Sequence, residues 1–191
     1  MSREKTARTK PEVTIRPLQL NDAEAVQRYA SDVRLARTTT IPEPYPPDGG
    51  ETFVEKAVEA HANGKEFYFG ILANGELVGA LDFRSIDRAD RSLECGYAIA
   101  VSHWGKGITT KALSLALCYA FCELDMDIVR SSCLSRNLAS ARVLEKNGFR
   151  ETGEYASEIP KFKGEPFREF RLTKKEWLSN RPEDRSLGNS R

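Results

Sequence analysis

A short glycine-containing stretch between two apolar segments carries the clearest chemical signal in the sequence. It reads AIAVSHWGKGITTK at residues 98–111, with an apolar run before Gly105 and Gly107 and a helical pattern after them. A loop of this kind exposes main-chain N–H groups at the positive end of a helix dipole, where phosphate oxygens bind. Residues 109–111 would add threonine hydroxyls and a lysine cation in the first helical turn. The stretch therefore predicts a site for a phosphorylated ligand.

The glycine loop differs from two common phosphate-binding motifs. It lacks the G-x-x-x-x-G-K-[ST] pattern of a P-loop and the G-x-G-x-x-G pattern of a dinucleotide-binding fold. Its context nevertheless favours phosphate binding, because it lies between an apolar strand and a long amphipathic helix. Asn137, with Ser140 in the following turn, opens a second helix after the next strand. In a strand–helix–strand–helix unit, the two helix N-termini can face the same end of the sheet.

The elements that must position this loop follow from periodicity and turn residues. Asn74-Gly75 predicts a type I′ hairpin between two strands. Asn137 and Gly148 begin and end a short helix, with Leu138, Ala141 and Leu144 expected to point inward. The predicted strands are residues 12–18, 67–72, 77–84, 93–101, 128–134, 149–155 and 167–172, and the predicted helices, with their caps, are residues 21–31, 48–64, 108–123 and 137–148.

This order of elements indicates an α/β (α+β) fold. We expect a central mixed sheet of about six or seven strands, flanked by about four helices on its two faces. Residues 12–178 are predicted to form a single domain, with a disordered basic tail at residues 1–11 and a polar C-terminal tail at residues 179–191. Residues 38–47 contain four prolines and are expected to form a semi-rigid loop, either a substrate wall or a plain connector.

Composition excludes several classes of function. The net charge is +1, so no strong attraction to DNA, RNA or anionic lipid is expected. No apolar run approaches the roughly 20 residues that span a bilayer, and the polar N-terminus does not resemble a secretory signal. The cysteines form no C-x-x-C pair and lie in apolar contexts, which predicts buried reduced thiols, no metal site and a cytoplasmic protein. A catalytic cysteine partnered by His61 or His103 is the alternative; the cysteines are Cys95, Cys118, Cys122 and Cys133.

The two helix-start motifs together resemble the GNAT superfamily of acyl-CoA N-acyltransferases. The first motif is WGKGIT at residues 104–109, and the second is NLASARVLEKNGF at residues 137–149. Trp104 and Thr109 depart from the superfamily loop [Q/R]-x-x-G-x-[G/A], whereas the second motif matches N-x-x-S-x-x-x-x-E-K-x-G-F throughout. The WGKG sequence is similar to the Rim-type branch, the bacterial N-terminal acetyltransferases of ribosomal proteins. The resemblance extends over about residues 13–177.

The resemblance implies that acetyl-CoA is the co-substrate and that no metal is needed. By similarity, acetyl-CoA would lie where strands 93–101 and 128–134 splay apart. Asn137 and Ser140 would contact its pantetheine arm, and main-chain groups of Ile99, Ala100 and Val101 would pair with the pantetheine amides. The pyrophosphate would be held by the main-chain N–H groups of the loop, which belong to Trp104, Gly105, Lys106, Gly107, Ile108 and Thr109.

The implied reaction is direct attack of a neutral amine on the thioester in a ternary complex. In this branch Ser140 would donate a proton or a hydrogen bond to the departing CoA thiolate, with Tyr155 as the alternative donor. Glu94 is the preferred general base, because it is the one acid in an apolar strand, where desolvation can raise a carboxyl pKa. The alternative for Glu94 is a strand-end glutamate in water or in a structural ion pair. Asp82 in the neighbouring strand is the second choice. His103 is expected to have a surface role, and strand N–H groups could stabilise the tetrahedral oxyanion.

The sequence leaves the acceptor open. The alternatives are a protein N-terminal α-amino group, a small-molecule amine such as an antibiotic or a polyamine, and a non-catalytic CoA-binding or sensing module. An α-amino group, with a pKa of about 8, loses its proton more easily than a lysine at about 10.4. Selectivity would reside in two loops, residues 37–47 and 157–166. A monomer or homodimer without nucleic-acid or membrane partners is expected.

Overall fold

A computed structural model describes residues 10–180 of the chain. Seven strands form one mixed sheet in the order β1-β2-β3-β4-β5-β7-β6. Neighbouring strands run antiparallel except β4 and β5, which are parallel. The strands are β1 Val13–Pro17, β2 Phe67–Ala73, β3 Glu76–Asp87, β4 Ser92–Ile99, β5 Ile128–Leu134, β6 Arg150–Ala156 and β7 Pro166–Thr173.

The helices pack on both faces of this sheet, as the order of elements predicts. Helices α4 and α5 cover one face and contribute to the main apolar core. Helices α1 and α3 cover the opposite face of strands β2–β4. The helices are α1 Ala23–Ala30, α2 Val33–Ala36, α3 Gly49–Ala62, α4 Ile108–Cys118, α5 Leu138–Lys146 and α6 Lys174–Ser179. None of the helices within residues 10–180 is long and apolar enough to cross a membrane.

Turn and cap residues form several of the predicted boundaries. Asn74 and Gly75 join β2 to β3 with φ angles of 50° and 83°, which confirms the two-residue hairpin with positive φ at both positions. Asn137 caps α5, because its side-chain oxygen accepts a hydrogen bond from the Ser140 N–H group at 3.2 Å. Gly148 ends that helix at a φ of 88°.

The parallel pairing of β4 with β5 is short. It joins Ser92 to Ile128 and ends at the pair Glu94–Arg130. Beyond this pair, Ser131 Oγ donates a hydrogen bond to the Cys95 carbonyl oxygen at 2.9 Å, so a side chain replaces the main-chain ladder. The strands then separate, and a gap opens in the sheet between β4 and β5, as the resemblance implies. We call this gap the splay.

Some local expectations are wrong. Leu138 does not point inward and is 57% exposed, and Cys122 is exposed rather than buried. Asn21-Asp22 is the predicted cap of the first helix, yet the Asp22 side chain makes no cap hydrogen bond to α1. The short helix α2 was not predicted, and the predicted helix 108–123 continues from α4 into a turn of π-helix at Tyr119–Glu123. The tails predicted at residues 1–11 and 179–191 lie mostly outside the described residues.

Candidate active site

The glycine loop has the backbone conformation that an anion site needs. Gly105 and Gly107 adopt φ angles of 72° and 77°, in the left-handed region that glycine tolerates best. Helix α4 starts directly after Gly107, and the main-chain N–H group of Lys111 donates a hydrogen bond to the Gly107 carbonyl oxygen at 3.1 Å. The N–H groups of residues 108–110 precede this first helical bond and have no carbonyl partner within the helix. They therefore form a set of donors for phosphate oxygens.

Several main-chain groups that were predicted to contact the cofactor already make hydrogen bonds within the protein. The Trp104 N–H group donates to the Val101 carbonyl oxygen at 3.2 Å, and the Ala100 N–H group donates to the Val78 carbonyl oxygen at 2.7 Å. The indole Nε1 of Trp104 donates to the Ile99 carbonyl oxygen at 3.0 Å. The expected pyrophosphate donor at Trp104 is thus bonded within the protein, and at least one main-chain group each of Ala100, Ile99 and Val101, the expected pantetheine partners, is also in use. Trp104 differs from the superfamily loop consensus. The hydrogen bond of its indole ring to Ile99 gives this residue a structural role, because it holds the loop against the end of β4.

The edge of β4 that faces β5 has main-chain groups that could still bind a cofactor. Successive residues of a strand direct their N–H and C=O groups to alternate edges. The Cys95 carbonyl points toward β5, where it meets Ser131 Oγ. Tyr97 therefore presents its N–H and C=O groups to the same gap. Ile99 presents its N–H group there, because its carbonyl already accepts from Trp104 Nε1, and the Ala98 carbonyl lies against Gly79 of β3. Tyr97 is a candidate site residue that the sequence did not indicate.

Ser140 lies in the first turn of α5 and lines the cavity beside the gap between β4 and β5. The Tyr97 hydroxyl is 2.9 Å from Ser140 Oγ and 3.1 Å from the Ser140 carbonyl oxygen. Burial raises the pKa of the Tyr97 hydroxyl, so this group stays protonated and can donate a hydrogen bond. Burial also raises the pKa of the nearby Cys133 thiol, and the Ser140 hydroxyl opposes that shift.

Tyr155, the alternative proton donor, lies in a different environment. Its side chain is 38% exposed, and its hydroxyl donates to Ser132 Oγ at 3.3 Å. Of the two candidate donors, Ser140 lines the large cavity of the described chain and Tyr155 does not. The geometry therefore favours Ser140.

Of the two candidate carboxylates, Asp82 is less exposed than Glu94. The Glu94 side chain is 47% exposed and pairs with Arg84 Nε at 3.5 Å, so the desolvation expected of it is absent. The Asp82 side chain is 21% exposed and accepts a hydrogen bond from Arg84 Nη1 at 2.6 Å. Burial raises the pKa of Asp82, and the positive charge of Arg84 opposes this shift. Asp82 lines the cavity, whereas Glu94 lies at the last pair before the splay.

Gly96 leaves the space that this ion pair occupies. It is paired with Asp82 across β3 and β4. A Cβ atom at Gly96 would lie 2.5 Å from Arg84 Nη1 and 2.9 Å from Asp82 Oδ1, both closer than real Cβ contacts. Glycine at this position therefore keeps Asp82 and Arg84 together at the wall of the cavity.

One continuous cavity of about 600 Å³ connects the glycine loop with the Asp82 region. The loop, Asn137 and Ser140 line one part, and Asp82 with residues 38–41 lines the other, which we call the acceptor part. His103 also lines it and contacts Ser102 Oγ through Nδ1 at 3.1 Å. Arg142 and Lys146 add cations from α5. The unpaired edge of β4 fits the amide groups of a pantetheine arm, and the loop donors fit a pyrophosphate, so these residues can hold acetyl-CoA.

Two surface loops are joined across the acceptor part of this cavity. Lys161 Nζ donates hydrogen bonds to the carbonyl oxygens of Ala36, at 2.7 Å, and Ile41. Arg136 donates to the Arg37 carbonyl oxygen at 3.0 Å. The bond from Lys161 to Ile41 joins the two predicted walls, residues 37–47 and 157–166, and the other two bonds join each wall to a residue outside the other. We call these three side-chain-to-main-chain hydrogen bonds the loop clasp.

Comparisons with known proteins identify the relatives of this chain. Residues 12–150 match the family described as acetyltransferase (GNAT) domain. The Bacillus subtilis (strain 168) protein named "Probable N-acetyltransferase YjcK" is 32% identical over 151 residues, which are 74% of this chain and 82% of that protein. Spermidine N(1)-acetyltransferase of Escherichia coli (strain K12) is 28% identical over 150 residues, 77% of each protein. The structure of Mycobacterium smegmatis RimJ in complex with CoA-disulfide has a TM-score of 0.78 and 26% identity, and the match covers 86% of this chain and 83% of that one.

Proposed function

Because the chain belongs to the GNAT acetyltransferases and is an acetyl-CoA-dependent N-acetyltransferase, we propose that it acetylates a primary amine by direct attack in a ternary complex. Its similarity to RimJ places it near the Rim-type branch. The observation that carries the proposal is the arrangement of two polar groups along one cavity. Ser140, bonded to Tyr97, lies at the splay, and Asp82 lies in the part toward the loop clasp.

The proposed step conserves atoms and charge without a further reactant. The amine nitrogen forms a bond to the acetyl carbonyl carbon, and the bond between that carbon and the CoA sulfur breaks. The amine loses a proton, and the CoA sulfur gains one. The products are an N-acetyl amine and free CoA, so the enzyme needs one group near the nitrogen that accepts a proton and one near the sulfur that donates a hydrogen bond.

We assign the sulfur side to Ser140. Its hydroxyl can turn from Tyr97 toward the departing thiolate, and the Tyr97 hydroxyl can then donate to Ser140 Oγ. Because burial raises the pKa of Tyr97, transfer of the tyrosine proton is unfavourable. Tyr97 therefore acts as a positioning residue that supports the serine hydroxyl, and the Tyr97 N–H group at the splayed edge is a candidate donor to the thioester oxygen.

We assign the nitrogen side to Asp82. A carboxylate whose pKa is raised by burial is a better proton acceptor near neutral pH than an exposed one. Arg84 lies between Asp82 and Glu94 and contacts both carboxylates. Glu94 therefore acts only indirectly, by contacting Arg84. Asp82 takes its place as the group that accepts the proton of the amine.

Two acceptor classes fall within this proposal. A protein N-terminal α-amino group is favoured by the similarity to the Rim-type branch, and a small-molecule amine by the similarity to a spermidine acetyltransferase. The cytoplasm is the location that we propose, since Cys95 and Cys133 are buried free thiols. A monomer or homodimer stays a prediction.

A thiol-release assay tests the proposed function. Purified protein is mixed with acetyl-CoA and a panel of N-terminal peptides, simple amines and polyamines, and N-acetyl products are identified by mass spectrometry. We expect CoA release that depends on an amine and on Ser140, so that Ser140→Ala lowers the rate while acetyl-CoA still binds by calorimetry. Binding of acetyl-CoA without transfer to any amine would instead indicate a CoA-binding module.

A further inference from the structure

The acceptor part of the cavity has a largely apolar wall. Helices α1 and α3 contribute Val26, Tyr29 and Phe53, and the loop before α3 contributes Ile41 and Tyr45. Tyr29 and Val26 belong to the second apolar core, against which Ile41, Tyr45 and Phe53 also pack. An acceptor held here would have most of its body in contact with aromatic and aliphatic carbon.

The charges of this cavity are few and unequal. Within the described residues that line it, Asp82 is the one carboxylate, and it already pairs with Arg84 at 2.6 Å. The lining cations are Arg84, Arg142 and Lys146. An ammonium group transferred from water into a low-dielectric site needs a carboxylate partner to offset its lost hydration. The cavity supplies that partner for one ammonium group and none for a second.

The loop clasp adds an apolar surface to this part of the cavity. It places Lys161 Nζ 5.5 Å and Arg136 Cζ 5.9 Å from the centroid of the buried Phe162 ring. The charge of Arg136 is already paired with Glu165 at 2.9 Å. Phe162 and Ile159 line the cavity, so the roof over the acceptor part is apolar on its inner side.

We propose that the acceptor is a small primary amine with a single positive charge on an uncharged, apolar body of about the size of an arylalkyl amine. This inference rests on the proposed function and specifies its substrate class. The single ammonium group loses its proton toward Asp82, the nitrogen takes the acetyl group, and the sulfur of CoA takes a proton. The apolar body contacts the wall formed by Tyr29, Tyr45 and Phe53.

The test compares three acceptors at concentrations well below saturation, where rates report kcat/KM. The probes are 2-phenylethylamine, spermidine and a peptide with a free N-terminal serine, each with saturating acetyl-CoA. We expect kcat/KM for 2-phenylethylamine to exceed that for spermidine by at least about tenfold. A higher kcat/KM for spermidine or for the peptide would overturn the inference and leave the acetyltransferase proposal intact. Transfer to none of the three and to no other amine, with acetyl-CoA still bound, would overturn both.

A charge-adding variant makes the test sharper. Thr40 is exposed and lines the acceptor part of the cavity, so a longer side chain can be accommodated there. Thr40→Glu supplies a second carboxylate and is expected to raise the spermidine/2-phenylethylamine ratio of kcat/KM by about tenfold. Thr40→Gln is the matched control of equal size and is expected to keep the order of the two acceptors. An equal change in both variants would show that charge does not set the selectivity and would contradict the inference.

Discussion

The hydroxyl of Tyr97 on β4 lies 2.9 Å from Oγ of Ser140 on α5, although the two residues are 43 positions apart. The same hydroxyl lies 3.1 Å from the Ser140 carbonyl oxygen. Because a carbonyl oxygen only accepts, Tyr97 can donate to it while the serine hydroxyl donates to Tyr97. When the serine hydroxyl turns to the CoA sulfur, Tyr97 can donate to Ser140 Oγ. The pair thus links β4 to α5 beside the gap between β4 and β5.

Tyr97→Phe should lower kcat with little change in KM for acetyl-CoA. The variant keeps the ring and removes one supporting hydrogen bond, which corresponds to about a threefold to tenfold loss in rate. Steady-state kinetics with acetyl-CoA varied at saturating amine measures both constants. Tyr119→Phe is the control, because Tyr119 packs against Phe67 and Phe69 away from the cavity. Equal kcat values for Tyr97→Phe and the unaltered enzyme would remove Tyr97 from the mechanism.

Asp82→Asn should lower kcat/KM for the amine far more than Glu94→Gln. Loss of a general base costs on the order of 10²–10⁴-fold, whereas Glu94 contacts Arg84 and is half-exposed. Burial raises the pKa of Asp82, so kcat/KM should fall as the pH drops through a value above the usual aspartate pKa of about 3.9. Asp82→Asn should lack this acidic limb. A pH–rate profile in which Glu94→Gln removes the limb and Asp82→Asn retains it would restore Glu94 as the base.

Gly96→Ala should disturb the ion pair at the cavity wall. The added Cβ would lie 2.5 Å from Arg84 Nη1, so the guanidinium must move and Asp82 would lose its fixed partner. We expect about a tenfold loss of kcat/KM for the amine, with KM for acetyl-CoA much less affected. Gly153→Ala is the control, because a Cβ there would meet Glu169 Oε2 at an ordinary 3.6 Å. Equal activity of the two variants would contradict the role given to Gly96.

Asp22→Asn should destabilise the region that supports the acceptor wall. Asp22 is buried and accepts hydrogen bonds from both terminal nitrogens of Arg16, at 2.7 and 2.8 Å, and from the Gln19 N–H group at 2.8 Å. Burial alone would raise the pKa of Asp22, but these hydrogen bonds outweigh it and lower the pKa. We expect a loss of about 1–3 kcal/mol in the free energy of unfolding at neutral pH, measured by urea denaturation.

The pH dependence of this loss follows from the direction of the shift. Because the folded pKa of Asp22 is depressed, its contribution is complete above the unfolded pKa of about 3.9 and disappears as the pH falls through the folded pKa. The unfolding free energies of the original protein and Asp22→Asn should therefore converge in acid. Glu24→Gln, which removes an exposed pair with Arg28, is the control. A difference that stays constant from neutral to strongly acidic pH would contradict this account.

The sequence predicts those parts of the fold that depend on local chemistry. Alternation marks the strands, Asn74-Gly75 marks the hairpin, and Asn137 and Gly148 mark the two ends of α5, because each depends on a few neighbouring residues. The predictions fail where the exposure of a side chain depends on the packing of distant elements. Leu138 follows the apolar spacing of α5, yet it lies where no neighbouring element covers it sufficiently, and it is 57% exposed.

The site shows the same limit. The glycine loop and the Asn137–Ser140 turn are local motifs, and the structure brings both to one cavity. Which carboxylate is less exposed depends on where α1 and α3 cover the sheet. Strand alternation alone cannot distinguish Asp82 from Glu94, since both lie on the same face. Tyr97 was missed because its partner is distant in sequence. Trp104 was expected to supply an N–H group, but that group is already bonded to Val101.

The central claim, direct attack by a primary amine on acetyl-CoA, is tested most directly by initial-rate kinetics with both substrates varied, combined with intact-protein mass spectrometry. We predict double-reciprocal lines that intersect, an N-acetyl amine as product and no mass increase of the enzyme in acetyl-CoA alone. Parallel lines together with an acetylated enzyme that transfers its acetyl group to the amine would contradict direct attack.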